Sequence, residues 1–528
     1  MTTTTASSFA PLSAPVAYGC AALSGVLYWL AFPGVDAWPL AFVAWVPLIV
    51  AMHGQTARRA MLLGWLAGLT MNVAGFWWLQ GMLTTFSGFP APICFLFLLI
   101  VCGFQGGRVA FHGWLFGRAT ARGWPYAPTF AAAFAASELL FPVLFVWYFA
   151  ATVHQVPVLS QLADVGGPIL VGLVLVAVNV ALAEAVLARA ERRPVALPTL
   201  ATGAAVLAFA CGYGALRIHQ VDAAAQAAPS ATVGVIQANM GLTEKRSSFD
   251  EGLRRHLKLS EDARARGADF VVWSETSAMR PVRDATYADE LRGVSSRIGM
   301  PSIFGGVIVR RVPDERGYVL FNSAVSSDAG GAINGRYDKE FLLTFGEYLP
   351  FGETFPILYR WSPNSGHFSP GTSLDPLIVD LHGEKHPVTG LICYEDILPR
   401  FTNDAVRHAN PELIVNLTND AWFGDTAAPW EHFALTQLRA VEHRRYFVRG
   451  TNSGVSAVVD PVGRVVAHTG TFRTESLVAP IHWMRSHTAY EVFGDWPWLV
   501  VSGGMIYAAF RRRGQTAGRL ARAPAQES

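Results

Sequence analysis

Asp269-Phe270-Val271-Val272-Trp273-Ser274-Glu275 is an apolar run of one strand's length with a carboxylate at its carboxyl end. A second run, Val388-Thr389-Gly390-Leu391-Ile392-Cys393-Tyr394-Glu395, reaches a thiol in the same way. In open α/β sheets ligands meet the protein beyond the carboxyl ends of the strands, so the two runs put an acid and a thiol on the edge that does chemistry. Around them, Thr232 to Gln237, Ser302 to Val309, Leu320 to Ser326, Leu377 to Leu381 and Glu412 to Leu417 read as further strands. Ser247 or Ser248 can cap a helix that ends before Gly267, and another helix follows Pro429. Val455 to Val459 with Arg464 to Ala467 reads as a hairpin, and Asn334 to Pro370, rich in Phe, Gly and Pro, reads as loop.

The chain has 528 residues, 52% hydrophobic and 15% charged, which is too apolar for a single soluble domain. Its apolar stretches approach the ~20 residues that a bilayer requires. They lie near residues 15 to 32, 37 to 53, 60 to 81, 90 to 107, 124 to 148, 166 to 188, 197 to 216 and 495 to 510. Short cytoplasmic loops retain Arg and Lys. Arg58 and Arg59, then Arg108, Arg118 and Arg122, then Arg189, Arg192 and Arg193, and finally Arg511, Arg512 and Arg513 follow alternate spans, whereas loops 33 to 36, 82 to 89 and 149 to 165 have neither residue type. The reading is a membrane bundle over 1–216, a periplasmic α/β domain over 217–484, and a last span with a basic tail over 485–528, in a bacterial inner membrane with both termini cytoplasmic. Met1 to Pro15 lacks the charged start of a cleavable signal, so the first span serves for export.

Of the five cysteines, Cys20, Cys94, Cys102 and Cys211 sit in apolar segments as small hydrophobes, and only Cys393 falls in the α/β region. A lone thiol in an oxidising compartment is either buried or kept for reactivity. Glu138 interrupts an apolar span, as a functional group or as a partner within the bundle. The net charge of +2 gives no case for nucleic acid, and neither a metal-ligand spacing nor a phosphate-cradling loop is present, so no cofactor is implied.

Glu275, Lys339 and Cys393 occur in this order. Taken singly, Glu275 reads equally as a surface carboxylate and Lys339 as a solvated loop cation. Their flanks, Trp273-Ser274-Glu275-Thr276, Tyr337-Asp338-Lys339 running on to Phe345-Gly346-Glu347-Tyr348-Leu349-Pro350, and Ile392-Cys393-Tyr394-Glu395, resemble the nitrilase superfamily. With Asn419-Asp420-Ala421-Trp422-Phe423-Gly424, Thr451-Asn452-Ser453-Gly454, Phe32-Pro33-Gly34, Trp38-Pro39-Leu40 and Gly75-Phe76-Trp77-Trp78-Leu79, the chain is similar to the apolipoprotein N-acyltransferase family over nearly its whole length. Ser274 and Thr344 stand where that family usually has Pro, and Arg246 where it often has Trp.

The resemblance implies a multi-pass α-helical bundle carrying a nitrilase-like αββα sandwich. It implies transfer of an acyl chain from a phospholipid to a diacylglyceryl-modified apolipoprotein through a Cys393 thioester. Glu275 would be the general base and Lys339 the oxyanion donor, with Glu347, Tyr394 and Glu395 in support. Phe341, Phe345, Trp422 and Phe423 are the candidate lining of an acyl-chain pocket. The rival readings are a membrane-tethered amidase that uses water and a non-catalytic lipid-binding or transport protein.

Overall fold

The computed structural model describes residues 11–512, apart from positions 88, 242–247, 279, 314–316, 345, 350, 353, 356 and 362–365. The apolar first half is a helical membrane bundle. Ala91–Thr120, Ala163–Ala190 and Leu197–Ala227 are each long and apolar enough to cross a bilayer; Ala57–Gly75 with Leu79–Thr85 form a pair bent by 61°; Ala14–Leu30, Trp38–Met52 and Trp496–Phe510 are shorter apolar helical segments.

The sequence reading needs several corrections here. Pro39 and Pro47 split the second expected span into a 3-10 turn, Trp38–Phe42, and a short helix, Val46–Met52. Each Pro lies in a first turn, where its missing N–H has no partner to lose. Gly75-Phe76-Trp77-Trp78-Leu79 is the bend in the third span rather than part of a straight helix. The fifth stops at Leu140, because Phe141 precedes Pro142 and takes an extended conformation. The fourth continues to Thr120, so Arg108 and Arg118 lie inside it and not in a loop. Arg108 is buried, with its guanidinium 3.3 Å from Glu138, which makes Glu138 a partner within the bundle. The seventh helix runs on to Ala227, so a division at residue 216 falls within it.

The second region is an αββα sandwich. One sheet comprises β1 (Ser230–Gln237), β2 (Phe270–Val272), β3 (Val282–Arg283), β4 (Ser302–Arg311), β5 (Tyr318–Ser327), β6 (Ile333–Asp338) and, from the far end of the chain, β13 (Glu475–His482), in the order β13-β1-β2-β4-β5-β6 with β3 on β4. The other comprises β7 (Leu377–Leu381), β8 (Glu384–Ile392), β9 (Leu413–Thr418), β10 (Tyr446–Thr451), β11 (Ala457–Val459) and β12 (Val465–His468), in the order β12-β11-β10-β9-β8-β7. The inner faces meet through Val233, Val235, Val272 and Ile303 on one side and Val388, Ile392, Val415 and Val448 on the other. Outside the first sheet, Phe249–Ala265 and Tyr287–Ile298 bury Leu257, Ala263, Leu291 and Ile298. Outside the second, Pro399–Ala409 and Ala428–His443 bury Ala405, Val406, Phe433 and Ala440.

The strand β6 lies inside the stretch expected to be loop; Ile333-Asn334-Gly335-Arg336-Tyr337-Asp338 carries too few apolar residues to show a strand's alternation. Ser248 stands at the start of Phe249–Ala265 but makes no side-chain capping bond.

The sandwich is fastened to the bundle. Ile397, Ala428, Leu435, Leu438 and Val441 pack into the bundle's own core. The buried Arg444 donates to Asp164 Oδ2 at 2.7 Å and to Gln161 Oε1 at 2.5 Å.

Candidate active site

The chain leaves β2 after Val272, and Thr276 takes a left-handed conformation, φ 49°, that turns Glu275 inward. This turn lies against β4 at a point where only glycine fits, since a Cβ on Gly305 would come within 2.4 Å of the Thr276 nitrogen. Asn322, in mid-β5, donates from Nδ2 to Glu275 Oε1 at 2.6 Å and to Glu347 Oε1 at 3.0 Å. Its carbonyl accepts from the backbone N–H of Lys339 at 2.8 Å, which anchors the residue that follows β6. Lys339 Nζ donates to Glu347 Oε2 at 2.6 Å, and the same oxygen accepts from the Leu343 N–H at 2.8 Å. Glu275, Lys339 and Cys393 are 8%, 1% and 9% exposed, so neither Glu275 nor Lys339 is the solvated surface group that it reads as when taken singly.

Cys393 stands at the first residue after β8 with φ 53°, a left-handed conformation that costs a non-glycine residue energy and is often found where a side chain must be aimed. Glu395 holds this turn. Its Oε2 accepts from the Ile392 N–H at 2.7 Å, while Oε1 accepts from the Tyr337 hydroxyl and from the backbone N–H groups of Glu340 and Phe341 at 2.7 to 2.9 Å. One carboxylate therefore ties the turn at Cys393 to the loop after Lys339. Burial pushes Glu395 up to about 7, against the opposing pull of Lys339 and these donors.

Electrostatics bind the group together. Burial opposes the charge on Lys339, yet Glu347 above all, then Cys393, Glu275 and Glu395, hold its pKa above the ordinary lysine value. The Cys393 thiol is pushed up to about 12, by burial first and by Glu275 second, with Lys339 and the Thr418 hydroxyl pulling the other way. A free thiolate beside an ionised Glu275 is thus disfavoured.

Tyr394 points away from this group into the bundle, where its hydroxyl donates to Leu144 O at 2.9 Å and accepts from the Val146 N–H at 3.3 Å. Its ring faces half-exposed Phe341 at 6.2 Å. Phe423 meets Trp78 edge-on at 5.0 Å, and Trp422 beside it is half-buried. Phe345 and Arg246 lie outside the described residues. Ser274 is fully buried, and the Thr344 hydroxyl lies 3.2 Å from that of Tyr348.

Sequence reasoning missed Asn322 and Asn416. Asn416 Nδ2 donates to Cys393 O at 3.1 Å and so fixes the backbone that carries the thiol. Both are amides in the middle of apolar strands, and a buried polar group there needs partners, which is the signal that could have found them.

An αββα sandwich with a buried acid, lysine and thiol at one end defines a carbon-nitrogen hydrolase-type enzyme, and residues 232–486 match the carbon-nitrogen hydrolase family model. Residues 24–181 match that of the apolipoprotein N-acyltransferase N-terminal domain. The apolipoprotein N-acyltransferase of Geobacter metallireducens is 30% identical over 509 residues, 94% of this chain and 96% of that one. That of Azotobacter vinelandii is 30% identical over 523 residues, 96% of each. Among solved structures, a butyramide complex of an amidase from Nesterenkonia sp. AN1 aligns with TM-score 0.36 at 16% identity, covering 51% of this chain and 96% of that one. The chain belongs to the apolipoprotein N-acyltransferase family, and is an acyltransferase of lipoprotein biosynthesis.

Proposed function

We propose that the chain moves an acyl chain from a membrane phospholipid to the α-amine of the diacylglyceryl-cysteine at a lipoprotein's N-terminus, through a thioester on Cys393. The observation that carries this is the burial of Glu275, Lys339 and Cys393 in one charge-coupled group whose thiol-bearing turn is tied through Tyr394 to the membrane bundle. Both substrates are anchored in one leaflet, and a site beside the bundle meets them there.

Glu275 accepts the thiol proton as the sulfur attacks the ester carbonyl. Lys339 and the backbone N–H of Tyr394 receive the oxyanion, a contribution of about 2.7 to 4 kcal/mol per donor in comparable sites. As the C–O bond breaks, Glu275 returns its proton to the departing lysophospholipid alkoxide. The amine then attacks the thioester, Glu275 takes its proton, and collapse to the amide expels the thiolate, which recovers that proton. Phe341, Trp422 and Phe423 shelter the acyl chain in this reading.

The same proposal divides the chain into the bundle, the catalytic part and, over 485–528, a last span with its tail, the helix Leu197–Ala227 leading from the first into the second. The catalytic part is periplasmic and both termini are cytoplasmic, supported by the arginines that remain outside the helix interiors. Mass spectrometry of the protein purified from membranes tests the chemistry: an acyl adduct on Cys393, lost in Cys393→Ala, is expected, and its absence from the native protein rejects the thioester.

A further inference from the structure

Of two sequence words of the family likeness, Asn419 to Gly424 and Thr451 to Gly454, only Trp422 and Phe423 enter the chemistry above. Both words converge on a cluster of buried charges behind Cys393. Arg449, at the middle of β10, donates to Asp396 Oδ2, to Asp420 Oδ2 at 3.1 Å and to Asn416 Oδ1 at 3.2 Å. Arg449, Asp396 and Asp420 are all fully buried. Gly454 leaves the room this requires, since a Cβ there would come within 2.1 Å of Asp420 Oδ2. His432, on Ala428–His443, completes the set: its Nε2 lies 2.8 Å from Asp396 Oδ1 and its Nδ1 3.1 Å from Asp420 Oδ1.

Ionised carboxylate oxygens only accept hydrogen bonds, so a ring held between two of them must donate from both nitrogens and is the imidazolium. The cluster then holds two positive and two negative charges and is neutral, which is what allows it to be buried. Burial and Arg449 oppose the charge on His432, and the two aspartates more than offset them.

We propose that His432 is a positioning residue for acyl transfer, a buried imidazolium that locks together the two turns flanking the substrate. Asp396 lies in the turn that begins at Cys393, and Asp420 opens the turn that bears Trp422 and Phe423. From the same cluster Arg449 orients Asn416, which holds the Cys393 carbonyl. Nucleophile and aromatic turn are thereby set against each other by one ion. This rests on the proposed thioester chemistry at Cys393.

The test is single-turnover thioester formation from labelled phospholipid, with folded protein counted by thermal unfolding and by titration of the Cys393 thiol. His432→Gln leaves an uncompensated buried negative charge and is expected to slow acylation about tenfold to a hundredfold, the cost of a misplacement near 1 Å. His432→Gln with Asp420→Asn restores neutrality and is expected to recover part of that loss, a coupling that a bystander histidine does not show. Unchanged acylation in folded His432→Gln overturns the proposal. Nitrogen-15 spectra of the native protein in nanodiscs are independent of any variant's folding: two protonated ring nitrogens at neutral pH are expected for His432, assigned through its Glu431 neighbour, and a neutral tautomer overturns the imidazolium. Absence of the adduct even in the native protein would instead reject the thioester reading itself.

Discussion

Asn322 and Glu275 are joined by a 2.6 Å hydrogen bond, and the same amide nitrogen reaches Glu347 at 3.0 Å. One neutral donor thus bridges the buried carboxylate of Glu275 and the partly buried one of Glu347. Without it, Glu275 loses a hydrogen bond that fixes the direction of its carboxylate. Asn322→Leu is therefore expected to slow thioester formation about a hundredfold while leaving the sandwich folded. Single-turnover acylation beside a melting curve checks this, and a native rate in the folded variant would refute the role.

The group around Lys339 acts as a unit. Lys339→Met removes a cation that faces Glu347, Glu275 and Cys393, and Glu275→Gln removes the proposed proton acceptor. Each should lower acylation by at least about a hundredfold, and Cys393→Ala should abolish the adduct. Residues that share one step lose their effects non-additively, so Glu275→Gln with Lys339→Met should be barely worse than either alone. Multiplying defects would mean that the two residues serve separate steps.

The candidate site residues were legible because Glu275 and Cys393 close apolar runs and Lys339 precedes a distinctive word. The α/β class was legible in the apolar strands that alternate with helical patterns, and the αββα sandwich only through the family resemblance. What was not legible depends on contacts between distant segments. β10 and β13 are fixed by pairing with β9 and β1, and the polar strand β6 by pairing with β5. Asn322 and Asn416 gain their meaning only from the side chains they reach. Arg108 read as a loop arginine because hydropathy cannot tell a charge paired within a bundle from one in water.

Glu431 offers a test of the junction between sandwich and bundle. It is buried at the start of Ala428–His443, accepts from Trp78 Nε1 at 3.1 Å, and is pushed by burial up to about 8. The folded state holds this proton more tightly than the unfolded chain, so folding takes up a proton between the ordinary carboxylate range and about 8. Stability therefore falls as pH rises through that window, and the whole penalty is present above it. Glu431→Gln keeps an acceptor for Trp78 and has nothing to ionise. Its melting temperature in detergent should decline less from pH 6 to 9 than that of the native protein. Glu442, pushed up to about 8, and Glu395, up to about 7, leave a residual slope in the variant. Parallel pH profiles would show that Glu431 is ionised in the folded protein at no cost.

Orientation in the membrane follows from the arginines that lie outside the helix interiors. Single cysteines placed in a variant lacking the native ones should react with an impermeant maleimide from the periplasmic side near residues 250 and 400, and not near residues 190 and 512. Labelling in the reverse sense would place the sandwich in the cytoplasm and overturn the proposed compartment.

Transfer and hydrolysis differ in what the thioester waits for. Water is far more abundant than any amine, and an α-amine with pKa near 8 is mostly protonated at neutral pH. Transfer wins only if the site excludes water, positions the amine and supplies a base for it. In the proposed reaction, burial of Cys393 and Lys339 meets the first condition, anchoring of both substrates in one membrane plane the second, and Glu275, emptied of its proton when the lysophospholipid leaves, the third. Enzyme loaded with labelled phospholipid and stripped of donor should accordingly keep its adduct, then pass the label to a diacylglyceryl-cysteine peptide on addition. An adduct that decays to free fatty acid at a rate the peptide does not alter would make the protein a membrane-tethered hydrolase. A Cys393 adduct whose label appears on the peptide amine, with both its formation and its passage to the peptide slowed in Glu275→Gln, would identify Glu275 as the base for the amine as well as for the thiol.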